Sequence, residues 1–232
     1  LADVGIALGS RATAAARGAA DMVVLDERIE TIVDALVEGR ALWGAVRDAV
    51  AVLVGGNLGE IGFTVLGSVL GGRPPLNARQ LLLVNMLTDA APSLAIAARP
   101  PRAVSAEQLL HEGPDASLAD ALDQAIAWRA VTTAGSTLVA WGLTGPHIAP
   151  RRAGTTALVT AVGTQLGQTI LSSGRDPVVL LAGVGSAAAL VGIVQTPVLS
   201  QLFGCTPLDP LALSVATTSA TAGSIASQVL PG

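Results

Sequence analysis

The stretch that decides the fold is LLLVNMLTDAAPSL, residues 81–94. Apolar side chains fill most of it, yet Asn85, Thr88 and Asp89 sit in its middle and Pro92 follows. A carboxylate inside a segment apolar enough for a bilayer is expensive and is a functional candidate by default. A second stretch, GGNLGE at 55–60, has the same character, with an amide (Asn57) and a carboxylate (Glu60) three residues apart. The rest of the chain has to explain why two such segments lie so close together.

Composition points to a membrane. The chain has 232 residues, of which 51% are hydrophobic and 13% charged, with a mean hydropathy of +0.61. Soluble domains carry about 25% charged residues. Every basic residue is Arg, and the formal net charge is -4, so nothing calls for a nucleic-acid partner. The single cysteine, Cys205, excludes an intramolecular disulfide and argues against a cysteine-based metal site. The first residue is Leu rather than Met, so the chain is expected to be part of something longer.

Residues 1–40 read differently from the remainder. DVGIAL and DMVVLD read as short buried strands, SRATAAARGAA between them as a helix, and ERIETIVDALVEGR as the start of another helix. That is a piece of an α/β domain. Forty residues are too few to bury a core of their own.

From residue 49 onward, six stretches approach the roughly 20 apolar residues of a spanning helix. They are 49–70, 79–98, 123–143, 153–171, 177–194 and 208–229. GRPP at 72–75 forms a tight turn between the first two, and 99–120 reads as a polar loop. Arg129 falls near the start of the third stretch, where it can snorkel. With six spans, Arg40, Arg47, Arg99, Arg102, Arg129 and Arg175 flank one side, and Arg73, Arg79, Arg151 and Arg152 the other. The bias places residues 1–47 in the cytoplasm. The chain is thus expected to be mainly α: a six-helix transmembrane bundle in an integral, multi-pass protein. Its fold units would be 1–40 and 41–232, with membrane lipid as a partner.

The candidate chemistry lies on the first two spans. Asn57 and Glu60 share a helix face, as do Asn85, Thr88 and Asp89. Antiparallel packing across the short turn would bring both faces together near mid-membrane. The result is a set of oxygen ligands with no sulfur or imidazole, which suits hard cations such as Ca²⁺, Mg²⁺ or Mn²⁺. Pro92 cannot donate to the carbonyl of Thr88 and is expected to break the helix, and Gly55-Gly56 is expected to loosen the other helix. The plainer alternative is that these polar groups only hold helices together. Gln165 fits helix packing and an extra ion ligand equally well. His111 and His147 sit beside Gly and Pro in loops and read as solvated. Ser, Thr and His show no nucleophilic arrangement, so no catalytic residue is expected in this chain.

The segment LADVGIALGS…AADMVVLDERIETIVDALVEGRALWGAVRDAV resembles the end of the phosphorylation domain of P-type cation-transporting ATPases, a haloacid-dehalogenase-like fold. NLGE looks like the N-x-x-E of that family's fifth transmembrane helix, and VNMLTDAAPSLAI like the V-N-x-x-T-D-x-x-P of its sixth. The pair of motifs is similar to the calcium-pump-like branch. The remaining four spans would be helices seven to ten.

By this resemblance Asn57, Glu60, Asn85, Thr88 and Asp89 carry over as cation ligands, and Gln165 falls where the family often places a Glu or Gln ligand in helix eight. The resemblance implies an ATP-driven, ion-translocating enzyme in a bacterial plasma membrane. The N-terminal part of the same pump would be its partner, using ATP and Mg²⁺. No D-K-T-G, T-G-E or GDGxNDxxAL motif occurs in residues 1–232, so these residues alone are expected not to hydrolyse ATP. A truncated, non-enzymatic membrane remnant or a passive cation-binding bundle is the alternative. A secondary transporter would show inverted repeats, and none is visible.

Overall fold

The structure is a computed structural model, and it describes residues 3–9, 12–26, 28–98, 118–174 and 176–229. Residues 99–117 of the expected loop, with Arg99, Arg102 and His111, lie outside the described residues, as does Arg175, and residues 118–120 are helical rather than loop. The described chain divides into two compact units, one up to Gly44 and one from Ala45 onward.

The first unit begins with strand β1 (Ile6–Leu8), helix α1 (Ala14–Ala19) and strand β2 (Met22–Val24). β1 and β2 pair in parallel with Ile6 opposite Met22, and a parallel pair needs such a crossover. Thr13 caps α1 by accepting from the N–H of Ala16 at 3.1 Å. Asp21 closes the unit by accepting from the N–H of Gly5 at 2.8 Å. The strands are less buried than their composition predicts. Ala7 and Val24 are buried, but Ile6, Leu8 and Val23 are exposed; the register puts Ala7 and Val24 on opposite faces, so each face of the two-stranded sheet is covered only in part.

Helix α2 follows as a single 42-residue element, Glu30–Gly71. It contains the first expected span without a break at Gly55-Gly56, so those glycines do not loosen it. After the turn come α3 (Ala78–Asn85), a π-helical turn (Met86–Ala90) and α4 (Ala91–Ala98). α3 starts with a capping box: the Asn77 side chain accepts from Gln80 N–H and the Gln80 side chain from Asn77 N–H, both at 3.0 Å. Pro92 does not break the helix, which continues to Ala98. The irregularity is the π turn just before it. A widened turn relieves the clash that proline makes with the carbonyl four residues back.

The remaining helices are α5 (Leu118–Leu143), α6 (Pro150–Ser172), α7 (Pro177–Gln195), the short α8 (Pro197–Leu202) and α9 (Pro210–Val229). α6 is the centre of the second unit and packs against α5, α7 and α9. Small residues allow this: a Cβ on Gly163 would meet Ala220 at 3.0 Å, and one on Gly167 would collide with Ser224. Among the described residues, α2 and α7 are long and apolar enough to cross a membrane. α6 is less apolar because it is buried by protein rather than by lipid, and its Thr155, Thr156, Thr160 and Thr164 hydroxyls each bond the carbonyl four residues earlier. Thr and Gln lower its hydropathy without exposing a polar group.

Arg129 corrects the snorkelling expectation. α5 starts at Leu118, so Arg129 lies about three turns inside it. Only 8% exposed, it donates through Nη2 to Ser172 Oγ at 2.7 Å and interacts with the charge of Asp48.

Cys205, between α8 and α9, is buried. It belongs to the apolar core, and its Sγ accepts from Gln80 Nε2 at 3.5 Å. Burial pushes its thiol above the ordinary value, against the smaller opposing pull of Gln80 and Thr155. A raised value keeps the thiol protonated at neutral pH and unreactive. Maleimide labelling of the folded protein at pH 7 should therefore run at least about tenfold slower than labelling after denaturation, and equal rates would contradict this environment.

Candidate cation site

The two polar segments meet inside the second unit. Glu60, on α2, is 5% exposed, and its Oε1 accepts from Gln165 Nε2 of α6 at 2.8 Å. Asp89, in the π turn, accepts from Thr88 Oγ1 at 3.1 Å and, at the limit of 3.5 Å, from Asn57 Nδ2 of α2. Thr88 also donates to the Val84 carbonyl at 3.0 Å, which holds its side chain in place. Ser93 Oγ donates to the Asp89 carbonyl, tying the π turn to α4. Asn57 relates the two acids: it bonds Asp89, and it lines one cleft with Glu60, one turn further along α2. Asn85 is exposed and bonds neither acid, but it lines a cleft of about 390 Å³ together with Asn57 and Glu60.

All six sequence-predicted residues thus lie around one region, in three relations. Glu60 pairs with Gln165, Asp89 with Asn57 and Thr88, and Asn85 joins through the cleft. Pro92 stands outside the cluster and acts on its backbone. Among the described residues no three His, Cys, Asp or Glu side chains group together as a metal site. A cation held here would depend on amide and hydroxyl oxygens to complement two acids.

Glycines make these approaches possible, and the sequence reading missed their role. A Cβ on Gly55 would lie 2.8 Å from Arg129 Cβ and 3.2 Å from the Ile126 carbonyl. One on Gly59 would lie 2.8 Å from Thr133 Cβ and 3.1 Å from the Ala130 carbonyl. Gly56 faces Gln165, whose Oε1 would be 2.5 Å away. α2 and α5 are therefore in backbone contact, and Gln165 reaches Glu60 over Gly56. The signal was present in the spacing GGxxG.

A second polar group went unread. Gln168 is fully buried on α6 and donates through Nε2 to Thr132 Oγ1 at 2.8 Å and Thr133 Oγ1 at 3.3 Å. Its three-residue spacing from Gln165 marks the same helix face.

Apolar helices that enclose carboxyl, amide and hydroxyl groups are the kind of core used by proteins that move ions through membranes. Residues 73–229 match the family model described as "Cation transporting ATPase, C-terminus", and the chain belongs to that family. It is 46% identical, over 99% of its length, to "Probable cation-transporting ATPase I" of Mycobacterium leprae, of which it spans 15%. Over 43% of its length it is 38% identical to "P-type sodium-transporting ATPase4" of Toxoplasma gondii, of which 7% is covered. The same identity and share hold for "Calcium-transporting ATPase 1" of Bacillus cereus, of which 11% is covered.

The glycine seam makes two separable predictions. Gly59→Val must push α2 from α5 backbone and should lower stability by about 1–3 kcal/mol, read as a drop in the thermal unfolding midpoint. Gly135→Ala, where a Cβ meets nothing within 4 Å, should leave that midpoint unchanged or raise it. Equal effects of the two substitutions would refute the seam.

Proposed function

We propose that residues 1–232 are the ion-binding membrane portion, with the end of the phosphorylation domain, of an ATP-driven P-type pump for a hard cation. Asn57, Glu60, Asn85, Thr88, Asp89 and Gln165 supply the oxygens. The observation that carries the reading is the meeting of α2, the π turn and α6 at two carboxyls. A cation between them would neutralise their charge and take the oxygen lone pairs that Gln165, Asn57 and Thr88 leave free. Ca²⁺, Mn²⁺ and Mg²⁺ fit an all-oxygen set, and the sodium-transporting name of one relative adds Na⁺ to the ions worth testing.

In this reading the chain crosses a bacterial plasma membrane six times, with α2, the turn 72–77 and the α3–α4 segment forming the first pair of spans. The residues before α2 lie in the cytoplasm. ATP, Mg²⁺ and the phosphorylated aspartate belong to the N-terminal part of the same pump. α2 is unbroken from Glu30 to Gly71, which suits it to transmit movement to Asn57 and Glu60. Transport then requires two states with different affinity for the ion. α3, the π turn and α4 supply an element able to differ between them, since π turns are common at functional sites.

The test is Glu60→Gln and Asp89→Asn in the full-length pump, measuring cation-dependent phosphorylation by ATP with Ca²⁺, Mn²⁺, Mg²⁺ and Na⁺ in turn. For the transported ion, each substitution should raise the half-saturating concentration by at least about tenfold or abolish the response, since one ligand interaction of about 1.4 kcal/mol is worth that factor. If both variants respond like the unmodified pump to every ion, the assignment is wrong.

A further inference from the structure

Thr64 and Thr137 depart from the common pattern of the helical threonines, and of the two Thr64 lines the cleft beside Glu60. Thr88, Thr155, Thr156, Thr160 and Thr164 all turn their hydroxyls back to the carbonyl four residues earlier. Thr64 does not. Its Oγ1 is buried and has no hydrogen-bond partner among the described residues. Leaving a buried hydroxyl unsatisfied costs about 1–3 kcal/mol, and a back-bond to the Glu60 carbonyl is the ordinary way to avoid that cost.

The position of Thr64 is equally specific. It lies one turn beyond Glu60 on α2, so the two share a helix face. It lines the same cleft as Asn57, Glu60 and Asn85. The other lining side chains, Ile61, Val65 and Leu81, are apolar and offer a cation nothing. The polar wall of the cleft is therefore two amides, one carboxyl and one hydroxyl. The Thr64 hydroxyl is the buried member with no bond of its own to break before binding.

We propose that Thr64 is a further oxygen donor of the cation site, extending it from Glu60 into the cleft between α2 and α3. This rests on the reading of Glu60 and its neighbours as the ion site. The hydroxyl offers lone pairs to the ion and keeps its proton, so binding needs no deprotonation. A neutral donor at this point raises the number of oxygens without adding charge, and a large ligand number favours Ca²⁺, which takes six to eight oxygens, over Mg²⁺, which keeps much of its water.

The experiment uses the full-length pump in membrane vesicles, with ATP-dependent phosphorylation titrated against Ca²⁺, Mn²⁺, Mg²⁺ and Na⁺ separately. Thr64→Val keeps the shape and removes the hydroxyl; Thr64→Ala removes it with less bulk and serves if the valine variant does not fold. Thr64→Ser keeps the hydroxyl. Either hydroxyl-free variant should raise the half-saturating concentration of the transported ion by about tenfold, the equivalent of one ligand interaction of 1.4 kcal/mol, while Thr64→Ser restores it to within about twofold. Glu60→Gln is run beside them. Unchanged half-saturation in Thr64→Val with a large loss in Glu60→Gln overturns the role of Thr64 and leaves the ion site standing. Equal shifts in Thr64→Val and Thr64→Ser also overturn it, since packing rather than the hydroxyl would then be responsible. No effect of Glu60→Gln removes the site reading and this proposal with it.

Discussion

Glu60 has a carboxyl group 5% exposed within a unit built of apolar helices, and its Oε1 accepts a hydrogen bond from Gln165 at 2.8 Å. A polar group placed there without a partner is strongly unfavourable. A hydrogen bond to a carboxylate contributes about 1.5–3 kcal/mol net, so one partner on a neighbouring helix matters greatly. That partner arrives only because α2 presents Gly56 where Gln165 passes and Gly55 and Gly59 where α5 presses in. A single β-carbon at these places would force the helices apart or turn Gln165 aside. The glycines and Glu60 thus form one constraint: the backbone is bared so that the acid is answered.

The same constraint accounts for the polarity of α6. A helix that supplies Gln165 and Gln168 to the interior cannot also turn an apolar surface in every direction. Its threonines bond their own backbone, and its glycines accept the small residues of α9. Packing of this kind does not rely on a difference in hydrophobicity between protein and lipid. It relies on close approach and on polar groups that find one another. Arg129, with Ser172 and Asp48 around it, belongs to the same polar interior.

Much of this was legible in the chain. The acids at Glu60 and Asp89 declared themselves by lying in apolar stretches, and helical spacing assembled Asn57, Asn85 and Thr88 around them. What periodicity could not give was the role of absent side chains. GGxxG looks like weakness when one helix is read alone, and it becomes a contact surface only when α5 and α6 are in place. Pro92 likewise read as a break, because a sequence does not show whether a widened turn will absorb it. Arg129 read as an interfacial residue because its helix starts earlier than hydropathy indicates. The strands β1 and β2 were recognisable by composition, but which of their faces is covered depends on neighbours that a local pattern does not contain. Thr64 was invisible for a different reason: threonine in a helix is commonplace, and only the missing back-bond together with its place in the cleft sets it apart.

The central claim is that the carboxyls of Glu60 and Asp89, with their amide and hydroxyl neighbours, receive the transported ion. The most direct measurement is an anomalous-scattering map of the full-length pump crystallised with Mn²⁺, or with Ca²⁺ if Mn²⁺ does not support phosphorylation. The account predicts a peak bounded by Asn57, Glu60 and Asp89, lost in crystals of Glu60→Gln. A pump that binds the ion with its peak elsewhere, and no density between these side chains, would contradict it.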